Sequence, residues 1–331
     1  MVLPHYFIGT KMQQPPQRNN NSATSQITEQ HVLISSKPYH FDENQLPSCV
    51  RSKLTPEEER SKRMKTCRFI EEASRILRLP RVATSTALVF FHRFYAVHSF
   101  AEHDRFEVAV ACILIAAKTE ESPRKLAHVI QECWKLKNSA KKNVPVVDGS
   151  NTSNVAGDTN TSTSSNGDML SPPTADNISP RLPYVDKSGF MDTKSEEFVS
   201  LKERILLLER VILHTIGFEL SVDHPYKFLV DLCKRIVPSR LIEYTNPTIP
   251  SPTTKSMMND LVQCSMNFAN DSMHTSLCLQ YPPKAIAITC VYMSCQVCKM
   301  KPIENKTWVD ILGSDIDMDI LARKFTIVVH E

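Results

Sequence analysis

The stretch Phe106 to Thr119, FEVAVACILIAAKT, decides the fold. From Val108 to Ala117 it has no charged residue and no polar group beyond one thiol, so a helix built from it is apolar on every side and needs neighbours all round. The run falls well short of the roughly twenty apolar residues that a bilayer span requires, so it reads as the centre of a helical bundle and no membrane association is expected. Glu107 at its N-terminal end and Lys118 at its C-terminal end both suit the helix dipole. A buried rod thus delivers one lysine to the rim of the core, with Glu120, Glu121 and Pro123 just beyond, and Lys118 is the first functional candidate.

A chain of 331 residues with 41% hydrophobic content can build a core in one large or two medium domains. Its 39 basic and 36 acidic residues nearly balance, and no basic block with interleaved aromatics occurs, so direct nucleic-acid binding is not expected. Ten cysteines lie in apolar stretches and the start Met1-Val2-Leu3-Pro4 has no signal-peptide character, which reads as reduced thiols in cytosol or nucleus. Of 7 glycines, only Gly217 and Gly313 fall in the expected folded parts, so the clustered glycines of a phosphate-binding loop are missing and no nucleotide cofactor is expected. Sparse glycine and long stretches of 3.6-residue periodicity predict an all-α fold.

Along the chain, residues 1–37 have the Gln-, Asn- and Ser-rich composition of a disordered tail. Thr55-Pro56-Glu57-Glu58 opens the first helix, with a capping threonine, a proline in the first turn and acids at the positive end; it runs to about Leu77. A second helix is predicted from Val82 to His98, and after the apolar rod a fourth from Ser122-Pro123 to Lys137. Residues 138–193 read as a flexible low-complexity insertion, which costs only about 0.6 kcal/mol per doubling of loop length. Ser171-Pro172 and Ser179-Pro180 inside it have the form of proline-directed phosphorylation sites. Helix returns from Ser195 to Ile216 with Leu201, Ile205, Leu208, Ile212 and Leu213 on its inner side, Glu209 beside them, and Gly217 as a left-handed cap. A second series follows at about Tyr226–Ile236, Thr254–Asn270, Lys284–Cys298 and Ile316–Val329.

An internal repeat relates the two series. Ile286 to Cys295 aligns with Val108 to Ala117, placing Ala287 on Ala109 and Cys290 on Cys112, while Gln296 takes the place of Lys118. Only the first copy keeps the charge, which implies a charge-dependent contact there.

Five motifs in order, Phe91-His92-Arg93-Phe94-Tyr95, Ala116 through Lys125, Leu208-Glu209-Arg210 with Ile216 to Leu220, Asp223-His224-Pro225-Tyr226, and Asn270-Asp271-Ser272 with Leu279-Gln280-Tyr281, resemble the transcriptional cyclins of T and K type, with the L type a near relative. The resemblance implies two tandem five-helix cyclin boxes, 38–220 and 221–331, and no catalytic residues of their own. It further implies a regulatory subunit that binds a cyclin-dependent kinase of the transcription elongation class as a heterodimer in the nucleus. The C-terminal domain of RNA polymerase II would be the substrate of that complex. By matching motif positions, Lys118, Glu121, Glu209 and Phe218 line the kinase face, with Lys118 and Glu209 as a polar pair among apolar residues. Two alternatives stay open: an L-type cyclin tied to splicing, and a cyclin-box scaffold like the general factor that bridges promoter DNA and polymerase.

One departure stands out. Cell-cycle cyclins present a substrate-docking patch whose arginine pairs with an aspartate on the next helix, whereas this chain has Arg63-Met64-Lys65-Thr66-Cys67 and His92 at the matching places, so such docking is not expected. Cys295-Gln-Val-Cys298 is a lone CxxC in an apolar helix and reads as core. Histidines 92, 98, 103 and 128 show no HExxH spacing and no evident carboxylate partner, so neither a metal nor a catalytic set is expected. Lys62-Arg63-Met64-Lys65 reads as the charged face of a helix in preference to a nuclear signal.

Overall fold

Two separate cores collect the apolar side chains, one on each copy of the repeat. The computed structural model describes residues 46–142, 190–245 and 253–313; the expected tail, most of the insertion with its Ser-Pro pairs, and the expected last helix near 316–329 lie outside these. The first core is built by α2 (Pro56–Ile76), α3 (Arg81–Phe94), α4 (Arg105–Thr119), α5 (Leu126–Lys142) and α6 (Glu196–Thr215), preceded by the short α1 (Pro47–Ser52). The second is built by α7 (Pro225–Ile236), α8 (Thr254–Ser272), the one-turn α9 (Leu277–Gln280), α10 (Pro283–Val297) and α11 (Trp308–Leu312). Two three-residue strands, β1 (Ile242–Tyr244) and β2 (Met300–Pro302), pair antiparallel with Ile242 opposite Pro302 and Tyr244 opposite Met300, a detail the all-α reading did not contain. Among the described residues no helix is long and apolar enough to cross a membrane.

The rod at the centre of the first bundle is α4, and every residue from Val108 to Ala117 is buried. Asp104 starts it by accepting from the Phe106 and Glu107 amides at 2.9 and 3.0 Å. The counterpart α10 is buried from Ala285 to Val291 but opens at Tyr292 and Met293, where Tyr292 meets Trp308 edge-on at 5.5 Å. Thr55 and Glu58 form a full capping box at the start of α2, and Ser195 caps α6 through the Phe198 amide at 3.2 Å.

Three boundaries differ from expectation, each for a packing reason. The helix α3 stops at Phe94, where the chain turns so that Phe100 packs on Tyr95 at 4.1 Å. The helix α5 starts only at Leu126, because Arg124 is spent on the end of α2, donating to the Leu77 and Arg78 carbonyls at 2.9 and 2.8 Å. At its other end α5 runs on to Lys142, and Met191 is buried against the first core, so both ends of the expected insertion are structured.

Directional bonds join the bundles. The Thr86 hydroxyl donates to Glu120 at 2.7 Å and therefore accepts from His224 Nε2 at 2.9 Å. The Tyr226 hydroxyl donates to Asn270 Oδ1 at 2.9 Å and accepts from Arg81 at 3.1 Å. Glu71 takes both Arg81 at 2.8 Å and His274 at 2.7 Å.

Candidate functional site

Lys118 and Glu209 meet as an ion pair between the ends of α4 and α6. The apolar length of α4 fixes Lys118 at the first position past the core, and Glu209 follows Leu208 of the buried stripe. The pair is half-open instead of enclosed, since the Glu209 side chain is 14% exposed and that of Lys118 56%. A second ion pair ties the same helices at the start of α4, where Arg204 Nη2 donates to Glu107 at 2.9 Å.

Both helices then end the same way. At the end of α4 the Glu121 and Ser122 amides turn back to the Lys118 and Ala117 carbonyls, at 3.3 and 2.8 Å, with Glu121 at φ +50°. After α6 the Gly217 and Phe218 amides return to His214 and Leu213, at 3.1 and 2.9 Å, with Gly217 at φ +62° as expected and Phe218 at φ +58°. Left-handed backbone costs a non-glycine residue about 1–2 kcal/mol, and such positions gather where structure serves function. Phe218 is 57% exposed, its ring edge-on to His214 at 5.2 Å. Lys118, Glu121, Glu209 and Phe218 thus all lie at the C-terminal parts of α4 and α6 or in the turns that follow.

Two exposed apolar residues of α6 escaped the sequence reading. Leu206 and Leu207 are 39% and 53% exposed on α6. Leu206 stands three residues before Glu209 and four before Arg210, hence on the same helix face. The run Ile205-Leu206-Leu207-Leu208 carried the sign: four successive apolar residues cannot all face inward on a helix.

The region matching the cell-cycle docking patch is closed. Arg63 is 2% exposed and pairs with Glu59 one turn back, donating to its carboxylate from Nε at 3.1 Å and from Nη2. Glu59, not His92, supplies the acid, and burial of Arg63 removes it from any basic surface run. Burial opposes the Arg63 charge, but Glu59 outweighs it and the pKa is raised. His92 accepts from Arg63 Nη1 at Nδ1, 3.1 Å away, and its Nε2–H donates to the Met273 carbonyl of the second bundle at 2.9 Å. Burial, then Arg63, lower its pKa from 6.5 to about 3, so the ring is neutral.

Cys67, Cys112, Cys133, Cys233, Cys290 and Cys295 are buried thiols outside any disulfide. Cys295 is buried, and burial followed by Cys264 pushes the Cys298 thiol up to about 11, which keeps it protonated and unreactive. The histidines behave differently from expectation: Glu102 lies within 3.7 Å of His98, and Glu132 within 4.0 Å of His128.

Comparison with known proteins gives the family of the chain. Residues 36–148 match the cyclin N-terminal domain family, and residues 251–327 match the Cyclin-T2-like C-terminal domain family. The chain is a cyclin. Within that family it is of the T/K transcriptional type: it is 27% identical to Cyclin-T of Drosophila melanogaster over 293 residues, 87% of this chain and 20% of that protein. It is 25% identical to Cyclin-K of Homo sapiens over 313 residues, 92% of this chain and 42% of that protein. The chain thus spans between a fifth and about two fifths of those two relatives' length. A chain in the crystal structure of the yeast RNA Pol II CTD kinase CTDK-1 complex has the same fold, with a TM-score of 0.54 at 14% identity over 89% of this chain and 72% of that one.

Proposed function

We propose that the face made by Lys118, Glu121, Glu209 and Phe218, with Leu206 and Leu207, seats a cyclin-dependent kinase, and that this chain is the kinase's regulatory subunit in transcription. The observation that carries the reading is that Leu206, Leu207 and Phe218 are exposed apolar residues on α6 and its following turn, with Leu206 on the helix face of the half-open Lys118–Glu209 pair. The leucines and the phenylalanine supply area to bury, while the pair offers both signs of charge to align a partner helix as well as hold it. Membership of the T/K type supports a kinase of the elongation class acting in the nucleus on the C-terminal repeats of RNA polymerase II. The two boxes, 38–220 and 221–331, then divide the work: the first binds the kinase and the second, with Gln296 in place of the lysine, does not.

The test is capture of the full chain from nuclear extract, with mass spectrometry of what is retained, followed by a kinase assay on a repeat peptide using the reconstituted pair. A stoichiometric cyclin-dependent kinase that is active only with this chain is the expected result. A complex structure with the kinase against α7 to α10, or no kinase retained, overturns the reading.

A further inference from the structure

The loop between α3 and α4 runs His98-Ser99-Phe100-Ala101-Glu102-His103, and it brings His98, Glu102 and His103 together with ligand-capable atoms within 4.8 Å of one another. Each of the three is already held. His98 stacks on Phe94 at 4.4 Å, and His103 stands edge-on to both His98 at 5.1 Å and Phe94 at 5.2 Å. The Tyr95 hydroxyl donates to the His103 carbonyl at 3.0 Å. Glu102 accepts from the Ser99 amide at Oε2 and from Arg51 at Oε1, both at 3.0 Å.

The hydrogen-bond network also fixes the tautomer of His98. Thr215 on α6 donates its hydroxyl proton to the Val211 carbonyl at 2.8 Å, so toward His98 Nε2, 3.0 Å away, its oxygen can only accept. The proton of a neutral ring is therefore on Nε2, and the Nδ1 lone pair is turned to Glu102 Oε2 at 3.7 Å. Two acceptors facing each other repel unless a proton or a metal cation lies between them. The separation is also close to the edge of about 3.4 Å that two ligands span on a tetrahedral zinc ion with bonds of about 2.1 Å. A ring nitrogen fixed by a hydrogen bond while the other looks into a cluster is the outer-shell arrangement of metal-binding histidines.

We propose that His98, Glu102 and His103 form a three-ligand site for a divalent transition ion of the zinc class. Two imidazoles and one carboxylate suit zinc better than magnesium or calcium, which prefer all-oxygen sites. Arg51 occupies Oε1, while Oε2, which already accepts from the Ser99 amide, has a second lone pair to offer the ion, and the fourth position stays open to water. Because Arg51 is on α1 and Thr215 is the last residue of α6, an ion here clasps three elements at the corner where α6 turns into Gly217 and Phe218.

The full chain, stripped with chelator and kept reduced, is titrated with zinc by calorimetry and with cobalt(II) by absorption. One saturable site at micromolar zinc is expected, with a melting temperature that rises with zinc and cobalt bands free of thiolate charge transfer. His103→Ala should weaken binding by about tenfold or more, while His128→Ala leaves it unchanged. His103→Asn serves as the second variant, with circular dichroism reporting that the fold is intact. No saturable binding, full binding by both His103 variants, or a thiolate band lost in Cys264→Ser each overturns the site.

Discussion

Glu121 and Phe218 hold the same left-handed backbone, at φ +50° and +58°, each just past the end of one of the two helices that share the Lys118–Glu209 pair. Neither is a glycine, so each turn keeps a side chain where backbone preference alone selects none. The turns thus carry one acid and one exposed aromatic residue just past the helices that hold the pair, and the first tests follow from them.

Phe218→Gly removes the ring and also the backbone cost. The melting temperature is expected to stay level or rise, since the change relieves up to about 1–2 kcal/mol. Kinase affinity is expected to fall by about tenfold or more, as for a central aromatic anchor. Binding assays beside thermal melts separate the two effects; a loss of melting temperature with full affinity contradicts the assignment.

Lys118→Glu puts two acids together. Because the lysine is half-exposed, folded stability should change by no more than about 1 kcal/mol, while capture of the kinase is lost. The exchange Lys118→Glu with Glu209→Lys restores the pair within the chain but reverses it for a partner. Capture should stay lost in the double variant. Its recovery would mean that the pair acts only inside the chain.

The buried pair of Arg63 and Glu59 behaves in the opposite way. Glu59→Gln leaves the guanidinium enclosed without its counter-charge and should cost about 3–5 kcal/mol in urea unfolding. Replacing both, with Glu59→Leu and Arg63→Met, should recover most of that loss. A loss below about 1 kcal/mol for the single variant would contradict full enclosure.

Acid should weaken the chain through His92. The unfolded ring takes up a proton below its ordinary pKa of 6.5, whereas the folded ring resists until about 3, so stability is fully present above pH 6.5 and falls as pH drops through that window. The slope from this one group is at most about 1.4 kcal/mol per pH unit. His92→Gln can still accept from Arg63 and donate to the Met273 carbonyl, without titrating. Urea unfolding between pH 7 and 4 should show the wild-type losing stability faster than the variant, and parallel curves would refute the assignment.

What the sequence revealed and what it hid have a common physical origin. The burial of α4 was legible because ten apolar residues in a row leave a helix no wet face, and the caps at Thr55 and Gly217 were legible because capping is local. The pair of Lys118 and Glu209 was reached through the repeat and the resemblance, both of which look beyond one helix. Glu59 with Arg63 stayed hidden because acid and base four apart read as a solvated face, and only packing shows that this face points inward. His92 and the Met273 carbonyl lie 181 residues apart, a link that no local pattern carries. Glu102 was missed as the partner of His98 and His103, which were read as lacking a carboxylate, because their convergence depends on α3 ending four residues before His98.

The bonds of Thr86 with His224, of Arg81 with Tyr226, and of Glu71 with His274 have a mechanical consequence. Greasy contact resists separation but permits sliding, whereas a lattice of aimed donors and acceptors sets a hinge angle. The two halves are therefore presented as a pre-formed bracket, and a protein that reaches across both spends little of its affinity on bringing them into alignment.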